Sequence, residues 1–328
     1  MKTRIYRPTP VNIRRLGAML HRGKLVAVPA ETVYGLAADA TNPEACAAIF
    51  RAKGRPTYDP LIVHVATLAQ AKELAVWTPL ANRLAKAFWP GPLTMVLKRR
   101  PTVPDIVTSG LDTVAVRMPA HPLFRKLLRT AGTPLAAPSA NPFGYISPTC
   151  AEHVHDGLNG RISAILDGGP CEVGVESTIL SLNEEKHLTL LRPGAINRRR
   201  LIEALGAEIK ISRKKFVAKS NQRPIAPGLL DRHYSPKTPT VLLSRFPRKM
   251  SPRDAWVHFD AGDFSHTHSQ NHFNLSLDGS GVTAAKRLFS VLRKIDGQGF
   301  RKIYLEKAPI KNDWAEVLND RMGRASAG

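Results

Sequence analysis

The sequence has few cysteines, few acidic residues and no long apolar run, and each shortage excludes a class of protein. Its three cysteines, Cys46, Cys150 and Cys171, are too scattered for a disulfide framework or a paired-cysteine metal site. No apolar run approaches the roughly 20 residues that a membrane-spanning helix needs, and no secretory core follows the basic segment Met1–Pro10. We therefore expect a soluble, cytoplasmic protein with free cysteines and no membrane partner.

Acidic residues are scarce relative to basic ones. There are 26 Asp and Glu against 48 Lys and Arg, which gives a formal net charge of +22. Such an excess indicates a polyanionic partner such as nucleic acid or a nucleotide, although a solvated basic surface would give the same charge. The first 30 residues contain seven basic residues and no acid before Glu31, and a second basic stretch runs from Arg198 to Arg253.

Helical and extended patterns alternate along the chain, which predicts an α/β fold with a twisted, mixed sheet. Segment 207–238 is rich in proline, glycine and basic residues and is typical of a linker. We predict a first domain over residues 1–208, a linker over 209–238 and a small α/β domain over 239–328. The second domain includes a strongly amphipathic helix at Val282–Ile295.

Several common catalytic signatures are absent. The chain has no phosphate-binding G-x-x-x-x-G-K-[ST], no G-x-S-x-G and no H-E-x-x-H sequence. The histidines His258, His266, His268 and His272 are close in sequence, but no cysteine or carboxylate set accompanies them, so we do not predict a metal site there.

Polar residues instead follow several predicted strands. The segments are Glu31-Thr32, Lys53-Gly54-Arg55, Ser139-Ala140-Asn141, Glu176-Ser177 and Leu191-Arg192. Each could be an ordinary turn or cap, but together they place hydroxyls, amides and cations at strand ends, where α/β proteins bind ligands. An arginine offers a planar fork to phosphate oxygens and a lysine offers a point charge. The set favours an anionic ligand that bears hydroxyl groups.

The order of these motifs resembles the YrdC/YciO family of L-threonylcarbamoyladenylate synthases. The matching segments are E-T-V-Y-G-L, K-G-R-P-x-x-x-P-L-x-x-H, V-A-V-R-M-P, S-A-N, S-T-I and R-P-G, which lie between about residues 10 and 205. The segments around Ala226-Pro227-Gly228, His233-Tyr234 and Asn319-Asp320-Arg321 resemble the linker and C-terminal domain of two-domain members. The resemblance implies a YrdC-like catalytic domain with a large concave cavity, a linker that crosses the active site, and a small Rossmann-like domain.

The resemblance also implies a reaction. L-Threonine, bicarbonate or CO₂, and ATP with Mg²⁺ would give L-threonylcarbamoyl-AMP, pyrophosphate and water, and the product would serve threonylcarbamoyladenosine formation in tRNA. Transient partners would be tRNA and a tRNA-modification transferase complex. A Mg²⁺ ion would arrive with the ATP phosphates, and its protein ligands stay open: the negative charge of Asp59 could help to hold the metal or could weaken the contact with ATP.

The resemblance also implies which residues of this chain occupy the family's binding positions. Threonine would be held by Thr32, His64, Arg117, Ala137 and Ser177. ATP would be held by Lys53, Arg55, Asp59, Thr113, Ser139, Asn141, Ser147, Arg192 and Tyr234. Lys53 and Arg55 would be catalytic, because they would offset charge that develops on the phosphate oxygens. Asp59 stands where the family usually has asparagine.

Two alternatives remain at this stage. The first is a non-enzymatic protein that binds double-stranded RNA or tRNA in the same basic cavity. The second is a carbamoyltransferase of hydrogenase maturation, but such proteins carry zinc-finger modules and this chain has no matching cysteine pairs. The Lys53/Arg55 and Ser139/Asn141 sets favour the synthase over nonspecific RNA binding.

Overall fold

The computed structural model describes residues 2–184, 187–213, 224, 226, 228–229, 233–247, 251–260 and 270–327. Its helices are α1 (Pro10–His21), α2 (Pro43–Lys53), α3 (Leu68–Leu74), α4 (Pro79–Phe88), α5 (Asp105–Thr108), α6 (Pro122–Ala131), α7 (Ala151–Leu158), α8 (Arg198–Leu205), α9 (Gly281–Asp296) and α10 (Ala315–Ala325). Its strands are β1 (Arg4–Tyr6), β2 (Val26–Val28), β3 (Gly35–Asp39), β4 (Ile62–His64), β5 (Leu93–Lys98), β6 (Thr113–Arg117), β7 (Leu135–Ala136), β8 (Ala164–Leu166), β9 (Thr178–Glu184), β10 (His187–Arg192), β11 (Lys210–Arg213), β12 (Thr240–Leu243), β13 (Ala255–His258), β14 (His272–Asn274) and β15 (Ile303–Glu306).

Eleven strands form one large mixed sheet in the order β1-β8-β2-β3-β7-β4-β6-β5-β9-β10-β11. Parallel pairs such as β4 with β6 alternate with antiparallel pairs such as β5 with β6. The predicted mixed α/β architecture is therefore confirmed. The sheet continues to β11, so the segment predicted as a linker from residue 209 begins with a strand of this sheet.

Helices cover both faces of the large sheet because its strands are apolar on both sides. Val26 and Val28 face the cluster that contains Leu16 of α1 and Leu127 of α6. Ala27, which lies between the two valines, belongs to the opposite cluster with the buried residues of α2 and α4. Successive side chains of a strand point to opposite faces, so this assignment follows directly from the sequence of β2.

The second sheet contains β12, β15, β13 and β14 in that order, and all its pairs are parallel. Helices α9 and α10 contact each other beside it, which gives the small α/β domain that the sequence predicts. Among the residues described, no helix is long and apolar enough to cross a membrane.

The structure describes two of the four histidines that are close in sequence, His258 and His272. His258 and His272 lie on adjacent strands with their rings stacked, and Nε2 of His258 is 2.9 Å from Nδ1 of His272. His266 and His268 lie outside the described residues. Within the described ranges, no group of three His, Cys, Asp or Glu side chains could hold a metal ion.

The two domains share a hydrophobic cluster. Val33, Ile146 and Val175 of the first domain belong to the same cluster as the buried residues of α9, among them Leu288 and Phe289. The backbone of α9 also approaches Gly174 closely. A Cβ added to Gly174 would lie 2.5 Å from Lys286 Cα, and the φ of +79° at Gly174 favours glycine as well.

We predict that Gly174→Ala lowers the free energy of unfolding by about 2–4 kcal/mol, because the side chain would force the domains apart and strain the backbone. The matched control is Gly132→Ala, since Gly132 has a φ of +72° but no heavy atom within 4 Å of an added Cβ. The control should cost only about 1 kcal/mol. Urea unfolding of the full chain measures both, and equal losses would contradict the proposed domain contact.

Candidate active site

A cavity lies at the ends of central strands of the large sheet. Strand β4 ends at His64 and the parallel strand β6 ends at Arg117, and these two residues are register partners. The carboxyl ends of parallel strands are the usual ligand position in α/β sheets. Eight of the predicted site residues line the cavity, namely Thr32, Arg55, His64, Arg117, Ala137, Ser139, Ser177 and Arg192.

Five further predicted residues are buried and do not line the cavity: Lys53, Asp59, Asn141, Ser147 and Tyr234. The remaining one, Thr113, begins β6 at the end opposite Arg117 and lines a separate surface groove with Lys98 and Asp105. The structure does not bring Thr113 to the cavity, and its assignment to the nucleotide stays a prediction.

Arg117 is the centre of the cavity's polar wall. It donates from Nη2 to Glu31 Oε1 at 2.6 Å, from Nη1 to Thr32 Oγ1 at 3.0 Å and from Nε to Gly91 O at 3.2 Å. Burial alone would raise the pKa of Glu31, but the charge of Arg117 and its hydrogen bond outweigh burial and lower that pKa below its usual value. Arg117 is thus held by an internal carboxylate, and it presents Thr32 to the cavity.

His64 is neutral at the bottom of the cavity. Burial, together with the nearby charge of Arg117, lowers the pKa of His64 to about 3. The ring lies 5.1 Å from Phe124 between ring centroids, and Nδ1 has no hydrogen-bond partner in the described structure. A neutral imidazole with a free nitrogen offers a ligand a hydrogen bond without adding charge.

Arg192 and Ser177 form a second polar wall. Arg192 donates from Nε to Ser177 O and from Nη2 to Ser177 Oγ, both at 3.1 Å. The Ser177 hydroxyl is also 2.8 Å from Thr94 Oγ1. Strand β10 ends at Arg192, just before Pro193 and Gly194 turn the chain away, so the guanidinium group is left at the cavity.

Lys53 holds the Ser139–Asn141 loop from behind. Its Nζ donates to Ser139 O and to Asn141 O, each at 2.5 Å. Burial, and next the charge of Arg55, lower the pKa of Lys53 well below its usual value. In this arrangement the ammonium group shapes the loop that carries Ser139 and does not itself line the cavity.

Arg55 reaches the cavity because helix α2 ends at Lys53. Gly54 adopts a left-handed φ of +63°, which closes the helix and turns the chain toward the site. Arg55 Nη2 lies 2.9 Å from Asp59 Oδ2, and Nε donates to Asp59 O at 3.0 Å. Burial raises the pKa of Asp59 despite the opposing charges of Arg55, Lys53 and Arg192. Asp59 therefore anchors Arg55 rather than facing a ligand.

Segments of the linker close one side of the cavity. Gly228 and His233 line it, and Tyr234 lies fully buried behind them with a φ of +63°. A Cβ added to Gly228 would lie 2.8 Å from Arg192 Nη1 and 3.1 Å from Tyr234 Oη, so only glycine fits this approach. Burial, and next the charge of Arg55, lower the pKa of His233 well below its usual value, so its ring is neutral.

Three charged residues at the site carried no functional assignment from the sequence. Glu31 holds Arg117, and Glu176 lines the cavity. Arg321, on α10, donates a hydrogen bond from Nε to Glu176 Oε2 at 2.8 Å. Glu31 and Glu176 are adjacent to Thr32 and Ser177, so the motifs that contain the two hydroxyls could have identified them. The Asn319-Asp320-Arg321 segment carried the family resemblance, but no local signal indicated the role of Arg321, because its partner Glu176 is 145 residues away.

The described residues do not form a protein site for Mg²⁺. The carboxylates nearest the cationic wall are Asp59 and Glu176, and each is engaged by an arginine, Arg55 and Arg321 respectively. Since no free carboxylate pair faces the cavity among the described residues, the side chains do not fit a resident metal.

These features define a class of protein: an α/β anion-binding protein in which arginines, hydroxyls and a neutral imidazole surround one enclosed cavity. The family model described as "Telomere recombination", which covers the Sua5, YciO and YrdC proteins, matches residues 18–194. The model described as "Threonylcarbamoyl-AMP synthase, C-terminal domain" matches residues 196–327. The chain therefore belongs to the Sua5/YciO/YrdC family and carries the C-terminal domain of its threonylcarbamoyl-AMP synthases.

Individual relatives agree with this membership. The threonylcarbamoyl-AMP synthase of Bacillus subtilis is 46% identical over 240 residues, which cover 73% of this chain and 68% of the relative. The threonylcarbamoyl-AMP synthase of Pyrococcus abyssi is 40% identical over 329 residues, which cover 96% of this chain and 94% of the relative.

Solved structures show the same likeness. The crystal structure of Pyrococcus abyssi Sua5 complexed with L-threonine has a TM-score of 0.87 to this chain at 38% identity, and the match covers 99% of this chain and 98% of that one. Escherichia coli YciO, with a TM-score of 0.53 at 21% identity, covers 59% of this chain and shares the fold of the first domain.

We predict that Glu31→Gln destabilises the protein by about 3 kcal/mol at pH 7, because Arg117 loses its buried counter-charge. The folded-state pKa of Glu31 lies below its ordinary value of 4.5, so its contribution is fully present above that value and is lost as the pH falls below it. Urea unfolding at pH 7 and pH 4 measures this change. The gap between wild type and variant should shrink at pH 4.

The control for this prediction is Glu44→Gln, which changes an exposed glutamate in the first turn of α2. It should alter stability by less than about 0.5 kcal/mol at either pH. A Glu31→Gln loss that stays equal at both pH values would contradict the buried ion pair as its cause.

Proposed function

We propose that the chain is itself a threonylcarbamoyl-AMP synthase, a nucleotidyltransferase that acts on L-threonine, bicarbonate or CO₂, and ATP. The observation that carries the proposal is the single cavity that joins Thr32, His64 and Arg117 on one side to Arg55 and Arg192 on the other. A structure that resembles the chain over nearly its whole length is described as complexed with L-threonine.

The threonine side of the cavity would bind an amino acid by its charge and its hydroxyl group. The Arg117 guanidinium would pair with the threonine carboxylate, and Thr32, Ser177 and neutral His64 would offer hydrogen bonds. The Ala137 backbone lies at the cavity wall beside them. A site built from hydrogen-bond partners discriminates against ligands that lack the matching group, because those partners would be left unpaired.

The reaction needs no nucleophilic side chain. Bicarbonate would supply CO₂ and hydroxide. The uncharged threonine amine would attack CO₂ to form a carbamate, and the proton that the nitrogen loses would combine with the hydroxide to give the water. A carbamate oxygen would then attack the α-phosphorus of ATP. The bond between the α-phosphorus and the bridging oxygen then breaks, and pyrophosphate leaves with that oxygen. The protein's share is to position the reactants and to stabilise charge on the phosphate oxygens, which Arg55 and Arg192 would do.

The nucleotide would occupy the side of the cavity that Arg55, Ser139, Arg192 and the linker surround. Asn141, Ser147 and Tyr234 would support this side from behind, and Lys53 would keep the Ser139–Asn141 loop in place. Asp59, which anchors Arg55, would act indirectly on ATP. Mg²⁺ would come with the ATP phosphates, without a protein ligand.

The product would enter threonylcarbamoyladenosine synthesis, which gives tRNA and a tRNA-modification transferase complex as partners and the cytoplasm as the place of action. A non-enzymatic RNA-binding role is not favoured, since the curated relatives are synthases. Pyrophosphate release, measured with threonine, bicarbonate or tRNA omitted in turn, tests the proposal. Release should require threonine and bicarbonate but not tRNA, and release that ignores threonine would contradict the assignment.

We predict that Arg55→Ala lowers turnover by about 10²-fold or more, which is the scale of one lost charge-stabilising group, and that Lys53→Ala lowers it by a similar factor because Ser139 is then misplaced. Arg55→Ala removes a cation from the cavity wall, whereas Lys53→Ala releases the loop that carries Ser139. Lys126→Ala, at an exposed position of α6, is the control for a lost surface charge. Near-normal pyrophosphate release by both variants would refute these roles.

A further inference from the structure

The second domain contributes one fully buried cation to the edge of the active site. Arg321, on α10, is the largest side chain in the described structure that is fully buried. Its Nε donates to Glu176 Oε2 at 2.8 Å, its Nη2 donates to Pro193 O at 2.9 Å, and its Nη1 lies 2.6 Å from Asp320 Oδ2. Two of these three partners belong to the first domain.

Glu176 connects this arginine to the cavity. It lines the cavity beside Ser177 and Arg192, and its Oε1 accepts a hydrogen bond of 2.5 Å from Ser147 Oγ. The two carboxylate oxygens are therefore fixed from opposite sides, one by Ser147 and one by Arg321. Without Arg321, this carboxylate, which is only 6% exposed, would lose its ion pair at the wall where the proposed ATP site begins and would keep the Ser147 hydrogen bond and the nearby charge of Arg192.

Arg321 also contacts the linker. Its guanidinium carbon lies 5.3 Å from the centroid of the Tyr234 ring, within the range of a cation–π contact. The Tyr234 ring in turn lies 5.3 Å from Phe289 of α9. One side chain thus meets a cavity carboxylate, the turn after β10 and the buried linker tyrosine.

We propose that Arg321 is a positioning residue of the active site, which neutralises Glu176 and fixes Glu176 and Ser147 in the arrangement that receives the nucleotide. The inference rests on the proposed use of ATP. It gives the second domain a specific share in nucleotide binding, because a buried carboxylate without its cation would repel the triphosphate.

The test compares Arg321→Met, Glu176→Gln and the double variant by pyrophosphate release, with KM measured separately for ATP and threonine. Arg321→Met should raise the KM for ATP by about tenfold or more and should change the KM for threonine by less than about threefold. The double variant, which removes both charges, should recover most of the ATP affinity. Such recovery between neighbouring residues is what a double-mutant cycle measures.

The control is Arg293→Met. Arg293 also reaches from the second domain into the first, but it donates to the backbone carbonyls of Ile146, Ser147 and His153 and lies over the Tyr145 ring. A purely structural role for Arg321 predicts that both methionine variants lower thermal stability, that neither changes the KM for ATP selectively, and that Glu176→Gln rescues nothing. That result would overturn the inference.

A substitute variant and the threonine dependence of the wild-type protein complete the test. If Arg321→Met does not fold, Glu176→Gln in the otherwise unchanged chain replaces it, since the loss of a negative charge beside the proposed ATP site should lower the KM for ATP but not the KM for threonine. A KM for ATP that stays unchanged or rises in that variant would contradict charge compensation. Wild-type release that does not depend on threonine would instead remove the proposed function, so the two failures are distinguishable.

Discussion

The site depends on the burial of several guanidinium groups around one cavity. A buried charge is costly unless it is paired and hydrogen-bonded, so each arginine requires internal partners. Arg117 has Glu31 and Thr32, and Arg55 has the side chain and backbone of Asp59. These partners fix the orientation of each guanidinium group before any ligand binds. A preorganised set of donors of this kind is what stabilises charge on a reacting phosphate.

The same constraint explains why the chain has a second domain. The wall that contains Glu176 and Arg192 is completed from outside the large sheet, by Arg321 and by Gly228 of the linker. The first domain alone would leave the Glu176 carboxylate without this ion pair. The shared hydrophobic cluster and the close approach of α9 to Gly174 hold the two domains in the relative position that the contact between Arg321 and Glu176 needs.

Local sequence patterns predicted the α/β fold and the cavity lining, but not the pairs that organise them. Strand β6 was predictable because Thr-Val-Ala-Val-Arg is rich in β-branched residues. Strand β3, Gly-Leu-Ala-Ala-Asp, was not predictable in this way, because it is buried throughout and has neither polar alternation nor a β-branched residue. Polar residues at predicted strand–loop junctions identified Thr32, Arg55, Ser139, Ser177 and Arg192 of the lining, and the family resemblance added His64, Arg117 and Ala137. The anchoring role of Asp59 and the reach of Arg321 depend on tertiary contacts, which no spacing along the chain reports.

The structure shows that the excess positive charge behind the net charge of +22 does not come from the paired arginines of the cavity. The cavity arginines Arg55 and Arg117 and the neighbouring Arg321 each have a carboxylate within 2.9 Å, so these pairs add nothing to the net excess. The surplus therefore lies elsewhere, for instance in the surface groove that contains Arg22, Lys24, Arg51 and Arg161 with a single acid, Glu44. At Arg55 and Arg117, an anion that enters the cavity shares each arginine with an internal carboxylate, so affinity there depends on how firmly those carboxylates are held.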